Sequence, residues 1–370
     1  MATERVKASV LHGEKDLRLE ERELPAPSSN EVQVAVKSTG LCGSDLHYYN
    51  HFRNGDIISA GTVVAVGSDV THLKPGDHVA LEVGLPCEAC ELCGEGRYNI
   101  CRGMKFRSSA KANPHAQGTL QERINHPAKW CHKMPEHVTL DLGALVEPLS
   151  VAMHARDRAA LPKGSTVLVL GAGAVGLLAA AVAKADQAKT VIIADILKDR
   201  LDFAINNGFA DASVVVPMER PQTIEDKLAF AQKVAAMVKE TQVNGEAVGE
   251  VTAVYECTGV ETCVQTAIYA TKPGGKVMII GMGTPVLTIP MSAAALREVD
   301  IVGVFRYANT YKEIIELLAN PPANMPDVSR LVTQRYKGME NIEEAFKMAG
   351  KVRDEQGNLV IKVVVDFNEK

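Results

Sequence analysis

Short runs of alternating apolar and polar residues, each cut off by turn residues, fill the first third of the chain. Runs at 6–11, 17–22, 31–37, 62–66 and 77–82 carry the pattern of half-buried strands, with Pro75-Gly76-Asp77 marking a turn. They predict an all-β, barrel-like region. From Gly164 the texture changes, and apolar runs at 166–170, 190–194, 213–216, 251–256 and 276–280 alternate with helical patterns at 174–185, 198–207 and 224–241. Uninterrupted apolar strands separated by helices predict a parallel sheet buried on both faces. Gly208 follows the second helix, where a left-handed C-cap is expected. After Asp300 another strand, a helix near 311–318 and a last strand at 360–367 complete the pattern. The expected fold class is α/β, with one β-rich domain and one doubly wound parallel-sheet domain, and 370 residues suffice for two cores.

Gly171-Ala172-Gly173-Ala174-Val175-Gly176 follows directly on the apolar strand 166–170 and opens an alanine-rich helix. In that context Gly171 permits a tight turn, Gly173 lets backbone amides approach a pyrophosphate at the helix N-terminus, and Gly176 lets helix and sheet pack closely. The next strand ends in Asp195. A carboxylate there would accept hydrogen bonds from an adenosine ribose and repel a 2'-phosphate, which favours NAD over NADP. Arg200, on the following helix, could serve either cofactor.

Of eight cysteines, Cys87, Cys90, Cys93 and Cys101 share one short loop. Four thiolates at that spacing suit tetrahedral zinc with every position filled, a structural site. Cys131, Cys257 and Cys263 are scattered and read as small buried apolar residues, while Cys42 stands in a glycine-rich loop from which a thiolate could reach a metal. With 46% hydrophobic and 23% charged residues and a net charge of -5, the chain gives no electrostatic reason to bind nucleic acid or an anionic membrane. A polar small molecule is the partner expected. The first residues carry charges where a secretory leader would need an apolar core, and no run is long enough for a membrane span, which predicts a cytoplasmic protein.

Gly40-Leu41-Cys42-Gly43-Ser44-Asp45-Leu46-His47, the four-cysteine loop, Leu145-Val146-Glu147-Pro148-Leu149-Ser150, the glycine motif and Val304-Phe305-Arg306-Tyr307 occur in one order along the chain. Together they resemble the zinc-containing medium-chain dehydrogenases, specifically the polyol branch of fungal sorbitol, xylitol and L-arabinitol dehydrogenases. The resemblance implies a GroES-like catalytic domain over 1–155 with a zinc lobe at 87–101, a Rossmann NAD-binding domain over 156–300, and a return segment over 301–370. It implies NAD-dependent oxidation of a polyol to a ketose by a homotetramer. Cys42 and Glu147 would then serve the catalytic zinc, and Ser44 and His47 a proton relay. Tyr48, Glu147, Arg306 and Tyr307 would meet the substrate hydroxyls, a site that disfavours plain alkanols because they leave buried polar groups unpaired. Val175, Ile280, Gly281, Met282, Val304, Phe305 and Arg306 match positions that hold the nicotinamide half.

One departure accompanies the resemblance. Family members carry a Pro-x-x-Leu-Gly-His-Glu stretch whose His and Glu complete the catalytic zinc site. Here Asn54-Gly55-Asp56-Ile57-Ile58 runs straight into Ser59-Ala60-Gly61-Thr62. About ten residues are absent, a length that spans roughly 33 Å when extended. The expected consequence is a chain that keeps NAD binding and the structural zinc but has impaired turnover.

Overall fold

The structure, a computed structural model, describes residues 3–51, 58–107 and 116–367. The chain divides into two compact units, one of Met1–Glu147, Ala308–Asn320 and Ser329–Lys370, the other of Pro148–Tyr307 and Pro321–Val328.

In the second unit six parallel strands run in the order Ala212–Val215, Thr190–Asp195, Thr166–Leu170, Val251–Glu256, Thr271–Ile279, Asp300–Gly303. Numbered along the chain this is 3-2-1-4-5-6, the doubly wound order, and it reverses beside Thr166–Leu170. The central strands are buried almost throughout, as strands covered by helices on both faces must be. Leu168, Ile192, Val254 and Val277 form the middle of that core. Helix Ala174–Ala185 buries every residue from Gly176 to Ala183, because small side chains let its backbone approach the sheet. Gly208 has φ +75°, the left-handed geometry expected after a helix end. Helix Glu261–Ala270 was not predicted, since its Thr, Cys, Val, Ile and Tyr residues are weak helix formers. Burial of Val264, Ala267 and Ile268 outweighs that propensity.

The first unit is built on a sheet ordered Val332–Lys337, Lys362–Asp366, Glu31–Gly40, Ile58–Val66, His78–Leu81, Cys131–Lys133, with Arg123–Pro127 also paired to Glu31–Gly40. Val32, Val34, Val36, Val63, Val79 and Leu81 fill its core. Strand Lys362–Asp366 is inserted between partners drawn from both ends of the chain, with Val364 opposite Gly40. Asn54, Gly55, Asp56 and Ile57, where the sequence departs from the family pattern, lie outside the described residues. Immediately after them the pairing is regular: Ile58 lies opposite Gly40 and Ser59 opposite Thr39. Among the described residues no helix is long and apolar enough to cross a membrane.

Candidate functional site

The four cysteines predicted to hold zinc converge. Cys90 and Cys93 sulfurs are 3.5 Å apart, Cys87 and Cys101 3.5 Å, and Cys90 and Cys101 3.8 Å. Tetrahedral zinc with Zn–S near 2.3 Å spaces its sulfurs about 3.8 Å apart, so the set fits the ion with no further protein movement of consequence. The Ala89 N–H is the main influence that pulls the Cys87 thiol down to about 6, toward the thiolate a metal ligand must be. This is a structural zinc site.

A second cluster surrounds Cys42. Its N–H donates to Asp45 Oδ2 at 2.7 Å, which fixes the entry to helix Gly43–His51, and its sulfur is 3.2 Å from Ser44 Oγ. That helix also carries His47, exposed and edge-on to His51 at 5.0 Å, and the half-buried Tyr48. Glu147, buried, sits in the first turn of helix Val146–Ala159. Enclosure by protein atoms pushes the Cys42 thiol up to about 11, and Asp45 and Glu147 add to the rise while Lys362 opposes it. Among the described residues no group of three or more His, Cys, Asp or Glu ligands is gathered other than the four-cysteine set. Cys42 and Glu147 are thus electrostatic neighbours, but with no two further ligands among the described residues.

Lys362 is a site residue that sequence reasoning missed. It is 4% exposed, and its Cε lies 2.8 Å from where a Cβ on Gly40 would stand, so Gly40 makes room for the lysine stem. The Leu41 N–H donates to Val363 O at 2.9 Å, which fixes the lysine's strand against the loop that bears Cys42. The available signal was a single charge inside Val360-Ile361-Lys362-Val363-Val364-Val365, an otherwise apolar strand.

In the second unit the predicted cofactor residues collect at the C-terminal ends of the parallel strands, the edge where doubly wound sheets bind ligands. Gly171 has φ +98°, and a Cβ there would stand 2.9 Å from Thr258 Cγ2. A Cβ on Gly176 would overlap Gly171 O at 1.8 Å. Gly173 is the N-cap of helix Ala174–Ala185, with only Arg200 Nη1 near its Cβ position, at 3.9 Å. Beside this open cradle the Arg200 Nε is buried without a hydrogen-bond partner among the described residues. Asp195 ties the turn together, accepting from the N–H groups of Ala172 and Leu197. The cradle and the free donor fit a dinucleotide. Val175 lies in the first turn of the helix. Ile280 and Gly281 donate N–H to Glu256 O, and the exposed Met282 follows them. Val304 N–H donates to Ile279 O, placing Val304, Phe305 and Arg306 just beyond strand Asp300–Gly303. Arg306 takes a left-handed φ of +51° and lays its guanidinium over the Phe305 ring at 4.9 Å, while Tyr307 is buried.

Comparison with known proteins matches the chain to a family. The pattern of the alcohol dehydrogenase GroES-like domain matches residues 28–136, and that of zinc-binding dehydrogenases residues 174–320. The chain is 41% identical to sorbitol dehydrogenase of Gallus gallus and 43% identical to that of Bos taurus, with 92% of each chain covered in both cases. The chain belongs to the zinc-containing medium-chain dehydrogenases. It is sorbitol dehydrogenase-like, a zinc-type oxidoreductase that uses NAD(P), with a GroES-like unit and a Rossmann unit. Among solved structures, an oxidoreductase/dehydrogenase of unknown specificity from Escherichia coli superposes with a TM-score of 0.84 at 30% identity, over 99% of this chain and all of the other.

Proposed function

We propose that the reaction served by this fold is the NAD-dependent oxidation of a polyol of the sorbitol, xylitol or L-arabinitol class to its ketose, in a cytoplasmic homotetramer. The observation that carries this reading is the Arg306-Tyr307 pair, set just beyond strand Asp300–Gly303 on the sheet edge that also bears the glycine turn. Arg306 and Tyr307 in the second unit, and Tyr48 and Glu147 in the first, are the residues whose donors and acceptors would serve substrate hydroxyls. Gly171, Gly173, Gly176, Asp195 and Arg200 hold the adenosine and pyrophosphate half of NAD, while Val175, Ile280, Gly281, Met282 and Val304 to Arg306 position the nicotinamide. Cys42 and Glu147 are the residues present that would hold a catalytic metal, and Ser44, with Oγ 3.2 Å from the thiol, starts a path for the hydroxyl proton toward His47. When bound, the metal would polarise the substrate hydroxyl and NAD would accept the electrons.

A second reading, an impaired NAD-binding variant, rests on a specific observation: Cys42 and Glu147 are joined by no further ligand pair among the described residues. A site with two of its protein ligands neither holds zinc firmly nor orients substrate. For the chain as written we favour this impaired state of a polyol dehydrogenase. Metal analysis with an NADH assay separates the two. Two zinc ions per chain and polyol-dependent NADH production support an active enzyme, whereas one zinc with cofactor binding and no turnover supports the impaired one.

A further inference from the structure

Between Cys93 and Cys101 the zinc lobe presents two groups that no metal uses, the Gly96 carbonyl and the Tyr98 hydroxyl. Both are taken by one residue. Asn309 donates its backbone N–H to Tyr98 Oη at 2.7 Å and its side-chain Nδ2 to Gly96 O at 2.8 Å. The Tyr98 hydroxyl passes its own proton toward Glu82 Oε1 at 2.7 Å, and Glu82 Oε2 lies 2.8 Å from His132 Nε2, so the phenol is fixed in direction from behind. Tyr98, Trp130 and Ala308, each 8% exposed, close one apolar cluster against which Cys93 packs.

Asn309 lies close after Arg306 and Tyr307, and the turn they share is strained. Arg306 has φ +51° and Asn309 φ +61°, both in the left-handed region, which strains the arginine and which asparagine enters more readily than other side-chain-bearing residues. Gly96, opposite, also needs its glycine geometry, with φ +73° and Asn309 Nδ2 3.4 Å from its Cβ position. Two hydrogen bonds to the zinc loop fix the left-handed backbone of Asn309.

We propose that Tyr98 and Asn309 are positioning residues, and that the four-cysteine lobe, besides stapling its own loop, anchors Asn309 and so the chain that follows directly on Arg306 and Tyr307. The consequence for substrate affinity rests on the reading of Arg306 and Tyr307 as polyol contacts; the anchor itself does not.

Amide hydrogen exchange on the full zinc-loaded chain tests the anchor directly. Tyr98→Phe keeps the ring that packs at 5.1 Å from Trp130 but removes the acceptor. It should leave one zinc and the emission of Trp130, the single tryptophan, unchanged, while exchange over 305–311 accelerates about tenfold. Asn309→Asp, at an exposed position, keeps the tolerance for the left-handed backbone but removes the Nδ2 donor to Gly96; it should do the same and decides the matter if the first variant misfolds or loses zinc. Exchange within about twofold of the unaltered chain in a zinc-loaded variant would overturn the anchor. For the chemical consequence, the same substitutions are placed in a chain restored with a Leu-Gly-His-Glu segment. There the sorbitol KM should rise about fivefold with kcat and the NAD KM within about twofold. Unchanged sorbitol KM despite faster exchange would overturn the coupling to substrate. A restored chain that oxidises no polyol would instead overturn the polyol reading and leave the exchange result standing.

Discussion

Asp195 holds Ala172 by a single short bond: Oδ2 accepts the Ala172 N–H at 2.6 Å, while Oδ1 accepts that of Leu197 at 2.8 Å. The carboxylate therefore shapes the glycine turn as well as waiting for a ribose. A 2'-phosphate brought to it would meet a like charge, worth about 3 kcal/mol at an effective dielectric near 20. Cofactor titration should show NAD preferred over NADP by on the order of a hundredfold. Asp195→Asn should reduce that preference to under about tenfold and also weaken NAD, because an amide oxygen cannot serve both N–H groups as a carboxylate does. Equal affinity of the unaltered chain for both cofactors would refute the assignment.

Replacing Cys101 by Ser opens a closed coordination shell. The variant should lose its zinc and on the order of 4 kcal/mol of stability. Metal analysis alongside a urea titration checks both, and a Cys101→Ser chain with unchanged zinc and midpoint would show that the four sulfurs do not hold the metal.

The chain as written should oxidise sorbitol or xylitol at background rates and bind a single zinc. Inserting a family-type segment ending in Leu-Gly-His-Glu between Ile58 and Ser59 should restore turnover to around 1 to 10³ per second and add a second zinc. Changing either Cys42 or the inserted His should then abolish both gains. Enzyme-like rates before the insertion, or zinc gained without turnover, would each defeat this account.

Acid should destabilise the first unit through His126. Its Nδ1 accepts from Arg107 Nε at 2.8 Å and its Nε2–H donates to Glu82 O at 3.1 Å, so the ring must be neutral. Burial first, then the neighbouring guanidinium, holds its pKa well below the usual 6.5, with His132 adding to the fall and the carbonyl contacts opposing it. The unfolded chain therefore takes up a proton that the folded chain refuses. Stability is complete above the unfolded value and is lost as pH falls below it, by up to about 1.4 kcal/mol per pH unit for one proton. His126→Gln, which can still accept and donate, should flatten that part of the profile between pH 6.5 and 5. Parallel urea midpoints for both chains would disprove the role.

The parts of this site that could be read in the sequence are those whose chemistry is local. The Gly171-to-Gly176 turn and the Cys87-to-Cys101 loop each complete their geometry within one short stretch, so spacing alone was informative. The doubly wound sheet was legible for a similar reason, since continuous burial writes continuous apolar runs. Lys362 was not, because its environment comes from Gly40 and Cys42, far away in sequence, and a lone lysine in a strand reads as solvated. Helix Gly43–His51 was seen only as a motif, since it has no apolar face wide enough to show a helical period. The left-handed backbone at Arg306 has no local signal, and the bonds that Tyr98 and Gly96 make to Asn309 come from a loop far away in sequence.

Strand Lys362–Asp366, lodged between Val332–Lys337 and Glu31–Gly40, imposes an order on biosynthesis. As the polypeptide leaves the ribosome, the six parallel strands of the second unit are all available before the first unit can close its sheet. At about 5–20 residues per second the Ser38–Gly40 end of strand Glu31–Gly40 waits tens of seconds for its neighbour. During that interval Val32 and Val34 are already flanked by Ile58–Val66 and Arg123–Pro127, so the gap left open is the short Ser38–Gly40 edge. A frameshift late in the message would spare every cofactor residue of the Rossmann unit and still deliver a product with that seam permanently open.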